Sequence, residues 1–201
     1  MGDVSVHFAK QVTTQDVCSK ESPILRVAII IGSTRPGRKA EGVARWVHDI
    51  AARRSDASFE VVDIAEFALP LLDEPLPPVM NRYSKPHTKA WAAKIASFDA
   101  FVFVTPEYNH STSGALKNAI DFLYREWNDK AAAFVGHGGA GGVRAVEHLR
   151  LVMGLARSRA PTAIRSELTG GCGRVLRWLR AALGIPGLDG GVRDLHEHGG
   201  W

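Results

Sequence analysis

The chain has 201 residues, of which 45% are hydrophobic and 23% charged, and its formal net charge is +4. These values are ordinary for a globular α/β domain, and no apolar run reaches the roughly 18 residues that a membrane span requires. From Leu155 onward seven arginines stand against four acidic residues, so residues 1–154 are nearly neutral, and we expect neither a nucleic-acid nor a membrane partner.

Residues 1–22 mix charged and polar side chains through the region where a secretory signal would need an apolar segment. We therefore expect a flexible extension there and a cytoplasmic protein. Cys18 and Cys172 have neither the spacing of metal ligands nor the density of a disulfide framework. Both are interpreted as free thiols, and no metal site is predicted.

Apolar runs of strand type alternate with segments of helical periodicity from Ile24 to Gly154. The predicted strands cover residues 24–30, 59–65, 100–105 and 131–136, and the predicted helices cover residues 40–54, 85–98, 115–127 and 141–154. Between them, the Pro-rich segment 67–84 is predicted as a loop. This alternation predicts parallel strands joined by right-handed crossovers, hence a doubly wound α/β sheet with helices on both faces.

One domain is predicted over residues 23–184. Residues 162–168 could add a short fifth strand and residues 173–183 a last helix. Beyond Gly184 the sequence is Gly-rich and loses its periodicity, so residues 185–201 are predicted to be disordered. Ligands of doubly wound sheets bind outside the carboxyl ends of the strands, and three motifs fall at those ends.

The first motif is "GSTRPGRK", which follows the first predicted strand. Gly32 and Gly37 have the spacing of a Walker loop, but Arg38 replaces its lysine and Lys39 its magnesium-binding Ser or Thr, which disfavours an NTPase. A turn from strand to helix still favours an anion, because free N–H groups and the positive helix end lie there. The candidate donors are Ser33, Thr34, Arg35, Arg38 and Lys39.

The second motif is "TPEYNHSTSG", residues 105–114, after the third predicted strand. Pro106 stiffens this loop and Tyr108 gives it an aromatic face, so its backbone can present polar groups to the edge of a flat heterocycle. In an equally weighted alternative, Glu107 merely caps a helix or forms a salt bridge and Tyr108 packs on the surface. Ser113 and Gly114 mark the start of the next helix.

The third motif is "GHGGAGG", residues 136–142. It formally matches the dinucleotide fingerprint G-x-G-x-x-G. A dehydrogenase, however, would carry that fingerprint in its first βαβ unit, with an acidic residue about 20 positions later. Glu167 is the only candidate for that residue and lies late. We prefer the interpretation in which these glycines let the backbone lie against a flat ring.

Together, "GSTRPGRKAEGVARWV", "VFVTPEYNHSTSGALKNAIDFL" and "GGVRAVEHLRLVMG" resemble the motifs of the NAD(P)H-dependent FMN reductases, which include azo, quinone and chromate reductases. The resemblance covers Arg26 to Gly154. It implies a flavodoxin-like fold with a five-stranded parallel sheet. It also implies a homodimer or homotetramer in which NADPH or NADH passes hydride to N5 of FMN before a small acceptor replaces it, a ping-pong sequence that needs no catalytic side chain.

The resemblance also implies which residues contact the flavin. Ser33, Arg35, Arg38 and Lys39 would bind its phosphate. The ring would be lined by Pro106, Glu107, Tyr108, Asn109, Gly138 and Gly139. In relatives a hydroxyl residue commonly precedes the glycine pair, whereas this chain has His137 there. The resemblance therefore implies that a hydrogen bond to the flavin is either supplied by His137 or missing, in which case His137 is loop surface.

Residues 155–184 depart from the family pattern, with an abrupt change to Arg and Gly. One hypothesis is a reading-frame shift in the gene, and we then expect FMN to bind more weakly than in relatives. A different class of function is a flavin-binding electron carrier or regulator without its own substrate. Such a carrier should be strongly acidic in order to dock on basic partners, so the near-neutral body favours the enzyme.

Overall fold

The computed structural model describes residues 24–155. Four strands and four helices alternate along it: β1 Leu25–Ile31, α1 Ala40–Ala51, β2 Ala57–Asp63, α2 Pro86–Ala96, β3 Ala100–Pro106, α3 Gly114–Asp121, β4 Ala131–His137 and α4 Val143–Leu155. The predicted extension at residues 1–22, the fifth strand at 162–168, the last helix at 173–183 and the tail at 185–201 lie outside the described residues. Within the described range, no helix is both long and apolar enough to cross a membrane.

The four strands form one parallel sheet in the order β2-β1-β3-β4. Ile30 at the centre of the sheet pairs with Val62 on one side and Phe103 on the other. The predicted doubly wound parallel sheet is confirmed, with four strands in the described residues. The strand order reverses between β1 and β3, and the carboxyl ends of strands at such a reversal form the crevice in which ligands bind.

Helices cover both faces of the sheet, as predicted. On one face, α2, α3 and α4 bury an aromatic core that includes Trp91, Phe103, Trp127 and Phe134. On the other face, α1 packs small side chains such as Ala44 against the β-branched residues of β1 and β3. The small helix residues let α1 approach the sheet closely, which places its N-terminus next to the carboxyl end of β1.

The predicted helix at 115–127 is wrong in its second half, because α3 ends at Asp121 and a separate 3₁₀ turn covers Arg125–Trp127. Two buried indoles donate to carbonyl groups in the last turn of α3. Trp91 Nε1 donates to the carbonyl of Ala119 at 2.8 Å, and Trp127 Nε1 donates to the carbonyl of Ile120 at 3.1 Å. The aromatic core therefore anchors the end of the helix, where the Ile120 carbonyl also accepts the N–H of Leu123 at 3.2 Å.

The predicted loop between β2 and α2 is confirmed and contains two short 3₁₀ turns. Glu74 in this connection accepts hydrogen bonds from the N–H groups of Ser84 at 2.9 Å and Lys85 at 2.9 Å, at the start of α2. Burial opposes ionisation of Glu74, but these hydrogen bonds outweigh it and lower its pKa to about 2. The side chain of the N-cap residue Lys85 forms no capping bond, and Glu74 instead caps the entry to α2 by accepting the N–H of Lys85, as the acidic residue of a capping box does.

Candidate functional site

Three loops follow the carboxyl ends of adjacent strands: loop 1 (residues 32–39) after β1, loop 2 (107–113) after β3 and loop 3 (138–142) after β4. They correspond to the three predicted motifs. The sheet register places Ile31 beside Val104 and Pro106 beside His137, so the loops leave one edge of the sheet side by side. Pro106 itself is buried as the last residue of β3 rather than exposed in the loop.

Loop 1 begins against the core and then emerges into solvent. The N–H of Gly32 donates to the carbonyl of Val104 at 2.8 Å, and a Cβ on this glycine would lie 2.7 Å from that oxygen and from Leu116 Cδ2. Only glycine fits so close to β3 and α3. Ser33 is 1% exposed, and residues 34–37 are exposed. The hydroxyl and guanidinium groups of Thr34 and Arg35 therefore lie at the surface just before α1.

Arg38 turns back into the protein instead of facing outward. Its guanidinium donates to the carbonyl of Ser33 at 2.9 Å and pairs with the carboxylates of Glu41 and Asp63. The Arg38 side chain is 12% exposed. It therefore connects loop 1, the first turn of α1 and the end of β2. Lys39 is exposed at the N-terminus of α1, where backbone N–H groups and the helix dipole favour an anion.

Two side-chain contacts join loop 1 to loop 2. The hydroxyls of Ser33 and Tyr108 share a hydrogen bond of 3.1 Å. Ser113 caps α3, as its predicted position at the helix start suggested, by accepting from the N–H of Leu116 at 3.0 Å. The same Ser113 hydroxyl donates to the carbonyl of Gly32. These contacts hold loop 1, which was predicted to bind an anion, against loop 2, which carries the aromatic Tyr108.

A tight turn forms the tip of loop 2. Tyr108 and Ser111 exchange two backbone hydrogen bonds of 2.9 and 3.1 Å. Between them, Asn109 and His110 have φ angles of +47° and +73°. Asn tolerates this left-handed conformation better than most residues do. The turn therefore fixes the exposed Asn109 at the rim of the site.

Glu107 connects loop 2 to both ends of loop 3. Its N–H donates to the carbonyl of His137 at 3.0 Å. Its carboxylate accepts the Arg144 guanidinium at 2.6 Å and the Arg144 N–H at 3.2 Å. Burial would raise the pKa of Glu107, but the hydrogen bonds from Arg144 prevail and the pKa is lowered. The alternative in which Glu107 caps a helix and forms a salt bridge is therefore confirmed for its carboxylate.

Loop 3 depends on glycine at two crowded positions. A Cβ on Gly136, the residue before His137, would lie 2.7 Å from the carbonyl oxygen of Gly142, and a Cβ on Gly142 would lie 2.5 Å from the N–H of His137. Gly142 also has a φ of +70°, which favours glycine. The chain folds back on itself here, so Gly138 and Gly139 are exposed between two fixed ends.

His137 ends β4 and is half buried beside this loop. Burial lowers its pKa, so the neutral imidazole is favoured. Its Nε2 is buried and has no hydrogen-bond partner among residues 24–155. A buried polar atom without a partner is uncommon in proteins, and this one lies at the loop predicted to border a ring.

Sequence reasoning missed Asp63 and Arg144, the ion-pair partners of Arg38 and Glu107. Each pair is far apart along the chain, with separations of 25 and 37 residues. No periodicity or local spacing indicates such contacts. The only sequence signal was the position of each residue, Asp63 in the last three residues of the predicted strand 59–65 and Arg144 in the first turn of the predicted helix 141–154.

The sequence matches the model of one protein family over most of the chain. The model of the NADPH-dependent FMN reductase family covers residues 25–166. An NAD(P)H-dependent FMN reductase of Schizosaccharomyces pombe is 42% identical over 140 residues, which are 68% of this chain and 70% of that protein. An NAD(P)H:quinone oxidoreductase of Solanum tuberosum is 39% identical over 135 residues, 65% of this chain and 68% of that protein.

Solved structures agree on the fold. FerB, a flavoenzyme NAD(P)H:(acceptor) oxidoreductase from Paracoccus denitrificans, superimposes with a TM-score of 0.61 at 21% sequence identity and covers 80% of this chain and 94% of its own. At this identity the likeness establishes the flavodoxin-like fold alone. The family model, the curated relatives and the three joined loops lead to one assignment: the chain belongs to the NADPH-dependent FMN reductase family and is an oxidoreductase that uses FMN and NAD(P)H.

Proposed function

We propose that the protein passes reducing equivalents from NAD(P)H through FMN to a small acceptor such as a quinone, an azo compound, a metal oxyanion or free flavin. The observation that carries this proposal is the joining of the three loops at one edge of the sheet. Ser33 contacts Tyr108 at 3.1 Å, and Glu107 contacts His137 at 3.0 Å. Loop 1, whose residues suit an anion, is thereby held in one site with loops 2 and 3, whose residues suit a flat ring.

The residues of loop 1 fit a phosphate. Thr34 offers an exposed hydroxyl group and Arg35 an exposed guanidinium, while the Ser33 hydroxyl beneath them is buried and bonded to Tyr108. Lys39 adds a further cation at the N-terminus of the 12-residue helix α1. Hydroxyls, a guanidinium and a helix N-terminus are the donors that phosphates take in proteins. We infer that Arg38 supports this loop through Glu41 and Asp63, rather than donating to the phosphate as the sequence suggested.

Loops 2 and 3 fit a flat ring. Gly138 and Gly139 expose backbone without side chains next to loop 2, and a Cβ on Gly139 would meet no heavy atom within 4 Å, so a ring can approach this backbone closely. Tyr108 and Asn109 in loop 2 provide an aromatic side chain and an exposed amide nearby. His137 Nε2, which is buried without a hydrogen-bond partner among residues 24–155, lies just before the two glycines. These features agree with the ring-binding roles proposed for the two loops.

FMN, when bound, supplies the acceptor for hydride from NAD(P)H and the donor to the second substrate. For a quinone the reaction is balanced when NAD(P)H, one proton and the quinone give NAD(P)⁺ and the hydroquinone. The protein then needs only to bind and orient the cofactor and substrates and to stabilise the charge on the ring. No side chain of the site is therefore assigned as an acid, base or nucleophile. The open rim suits acceptors of varied shape, and successive binding at one face gives ping-pong kinetics.

The second candidate is a flavin-binding carrier or regulator without its own substrate. Flavodoxin-like carriers dock on protein partners through complementary charge. The described residues carry 16 Lys and Arg against 14 Asp and Glu, which leaves a net charge of +2. The absence of a strong charge of either sign among them supports the enzyme.

The deciding experiment is the visible spectrum of the purified protein with FMN, before and after addition of NADPH under anaerobic conditions. We expect a bound-flavin spectrum that bleaches with NADPH and recovers when a quinone is added. Flavin that binds but stays oxidised would favour the carrier, and absence of flavin binding would contradict both. Light scattering on the same sample tests the homodimer or homotetramer that we also propose.

A further inference from the structure

The ion pair between Glu107 and Arg144 stands out because its two members differ in exposure. The Glu107 side chain is 9% exposed, whereas that of Arg144 is 44% exposed. The carboxylate accepts both the guanidinium at 2.6 Å and the backbone N–H at 3.2 Å in the first turn of α4. It therefore neutralises a cation and a helix N-terminus at the same time.

Glu107 fixes loop 3 at both ends, with its backbone before the loop and its ion pair with Arg144 after it. The N–H of Glu107 holds the carbonyl of His137, just before the loop, at 3.0 Å. Its carboxylate holds Arg144, two residues after the loop. A Cβ on Gly138 would lie 3.4 Å from the Cβ of Glu107, so the loop also packs on this side chain. Next to the pair, His148 Nδ1 and Ser111 Oγ share a contact of 2.9 Å that joins loop 2 to α4 a second time.

The pair also controls local charge. When one partner of an ion pair is removed, the remaining charge is left uncompensated, and here the Glu107 carboxylate is the more buried of the two groups. Charges close to the N1 and N5 atoms of a flavin tune its electronics, and reduction increases the negative charge on the ring. An uncompensated cation beside the ring therefore favours the reduced form, and an uncompensated anion favours the oxidised form.

We propose that Glu107 and Arg144 are a positioning pair that holds loop 3 for the flavin ring and, by mutual neutralisation, sets the reduction potential of the bound flavin. This inference rests on the proposed binding of FMN between loops 2 and 3. It gives the Glu107 carboxylate a role that differs from the backbone contact expected from its motif.

The test compares Glu107→Gln, Arg144→Gln, the double variant and Arg144→Lys. Midpoint potentials are measured by equilibration with redox dyes, and FMN dissociation constants by fluorescence titration. Both single Gln variants lose the same ion pair, so each is expected to weaken FMN binding about 10-fold, the value of a charge-assisted contact. Their potentials are expected to move in opposite directions, positive for Glu107→Gln and negative for Arg144→Gln.

The double variant, which carries no net change in charge, is expected to return to the wild-type potential, and Arg144→Lys to keep it. Single variants that shift the potential in the same direction, or leave it unchanged, would overturn the inference while wild-type FMN binding still supported the proposed function. If Glu107→Gln does not fold, the contrast between Arg144→Lys and Arg144→Gln decides, because both lose the guanidinium geometry and only the second loses the charge. A wild-type protein that binds no FMN would remove the proposed function and this inference together.

Discussion

The two arginines of loop 1 have different structural roles although they are three residues apart. Arg35 is exposed ahead of α1, whereas Arg38 is 12% exposed and pairs with Glu41 and Asp63. Exposed cations contribute little to folding, and a largely buried carboxylate that loses its partner is costly. Arg35 should therefore contribute mainly to FMN binding, and Arg38 mainly to the stability of the fold.

We predict that Arg35→Ala raises the FMN dissociation constant about 10- to 100-fold, since a hydrogen bond to a charged group contributes roughly 1.5–3 kcal/mol. The melting temperature of the apoprotein should not change. Arg38→Ala should lower the unfolding free energy by about 1–3 kcal/mol, because it leaves the carboxylate of Asp63 without its ion-pair partner. For a domain of this size that loss corresponds to a fall in Tm of roughly 3–10 °C.

Thermal melts of the apoproteins and fluorescence titrations with FMN check both expectations. Arg45→Ala is the matched control, because Arg45 is exposed on α1 away from loop 1. Its Tm and its affinity for FMN should equal those of the wild type. An Arg38→Ala protein that melts normally but binds FMN no better than Arg35→Ala would show that Arg38 donates to the phosphate after all.

At the scale of secondary-structure elements, α2 depends on a residue far from it in sequence. Pro86 is the first residue of α2 and has no N–H, and Lys85 before it offers no side-chain cap. Glu74 takes this role, with its carboxylate on the N–H groups of Ser84 and Lys85. The Pro-rich connection is thereby fixed to the helix that follows it, and Asn118 Nδ2 attaches its other end by donating to the carbonyl of Pro70 at 2.7 Å.

The low pKa of Glu74 predicts a specific acid sensitivity. Because its folded-state pKa of about 2 lies below the ordinary 4.5, its contribution to stability is complete above pH ~4.5 and is lost as pH falls towards 2. Glu74→Gln should therefore be less stable at pH 7 by about 0.5–2 kcal/mol, the value of a helix cap. The difference from the wild type should shrink between pH 5 and pH 2.

Urea denaturation across this pH range measures the effect. The control is Glu147→Gln, since Glu147 is an exposed carboxylate on α4, and its stability curve should follow that of the wild type. A constant difference between Glu74→Gln and the wild type from pH 7 to pH 2 would mean that the ionised carboxylate does not provide the cap.

At the scale of the whole molecule, the sheet and its helices were predictable because they depend on local patterns. The run around Ile29 and the periodicity around Val47 identify β1 and α1 without knowledge of the fold. The early end of α3 was not predicted, since apolar residues continue at helical spacing beyond Asp121 and the contact of the Trp91 indole with this turn comes from another helix. In the same way, the three loops could be placed by strand order, but the partner of Glu107 depends on a contact across 37 residues.

The net charge of residues 24–155 favours the proposed enzyme over the carrier. It is +2, so this part of the chain offers no strong electrostatic attraction to a charged partner protein. The rate of re-oxidation of NADPH-reduced protein by an uncharged quinone should therefore change less than about twofold between roughly 0.02 and 0.5 M NaCl, a range that screens surface charges almost fully.

Stopped-flow measurement of flavin re-oxidation isolates this step from the binding of the anionic NADPH. Ferricyanide provides the comparison, because the reaction rate of an anionic acceptor depends on surface charge, and hence on salt, whereas that of a neutral quinone does not. If the quinone reacted slowly at every salt concentration and only a protein acceptor reacted quickly, with a rate that fell steeply with salt, the protein would be a carrier. Fast, salt-independent reaction with the small neutral acceptor would instead support the proposed enzyme, because such an acceptor needs no charged docking surface to react.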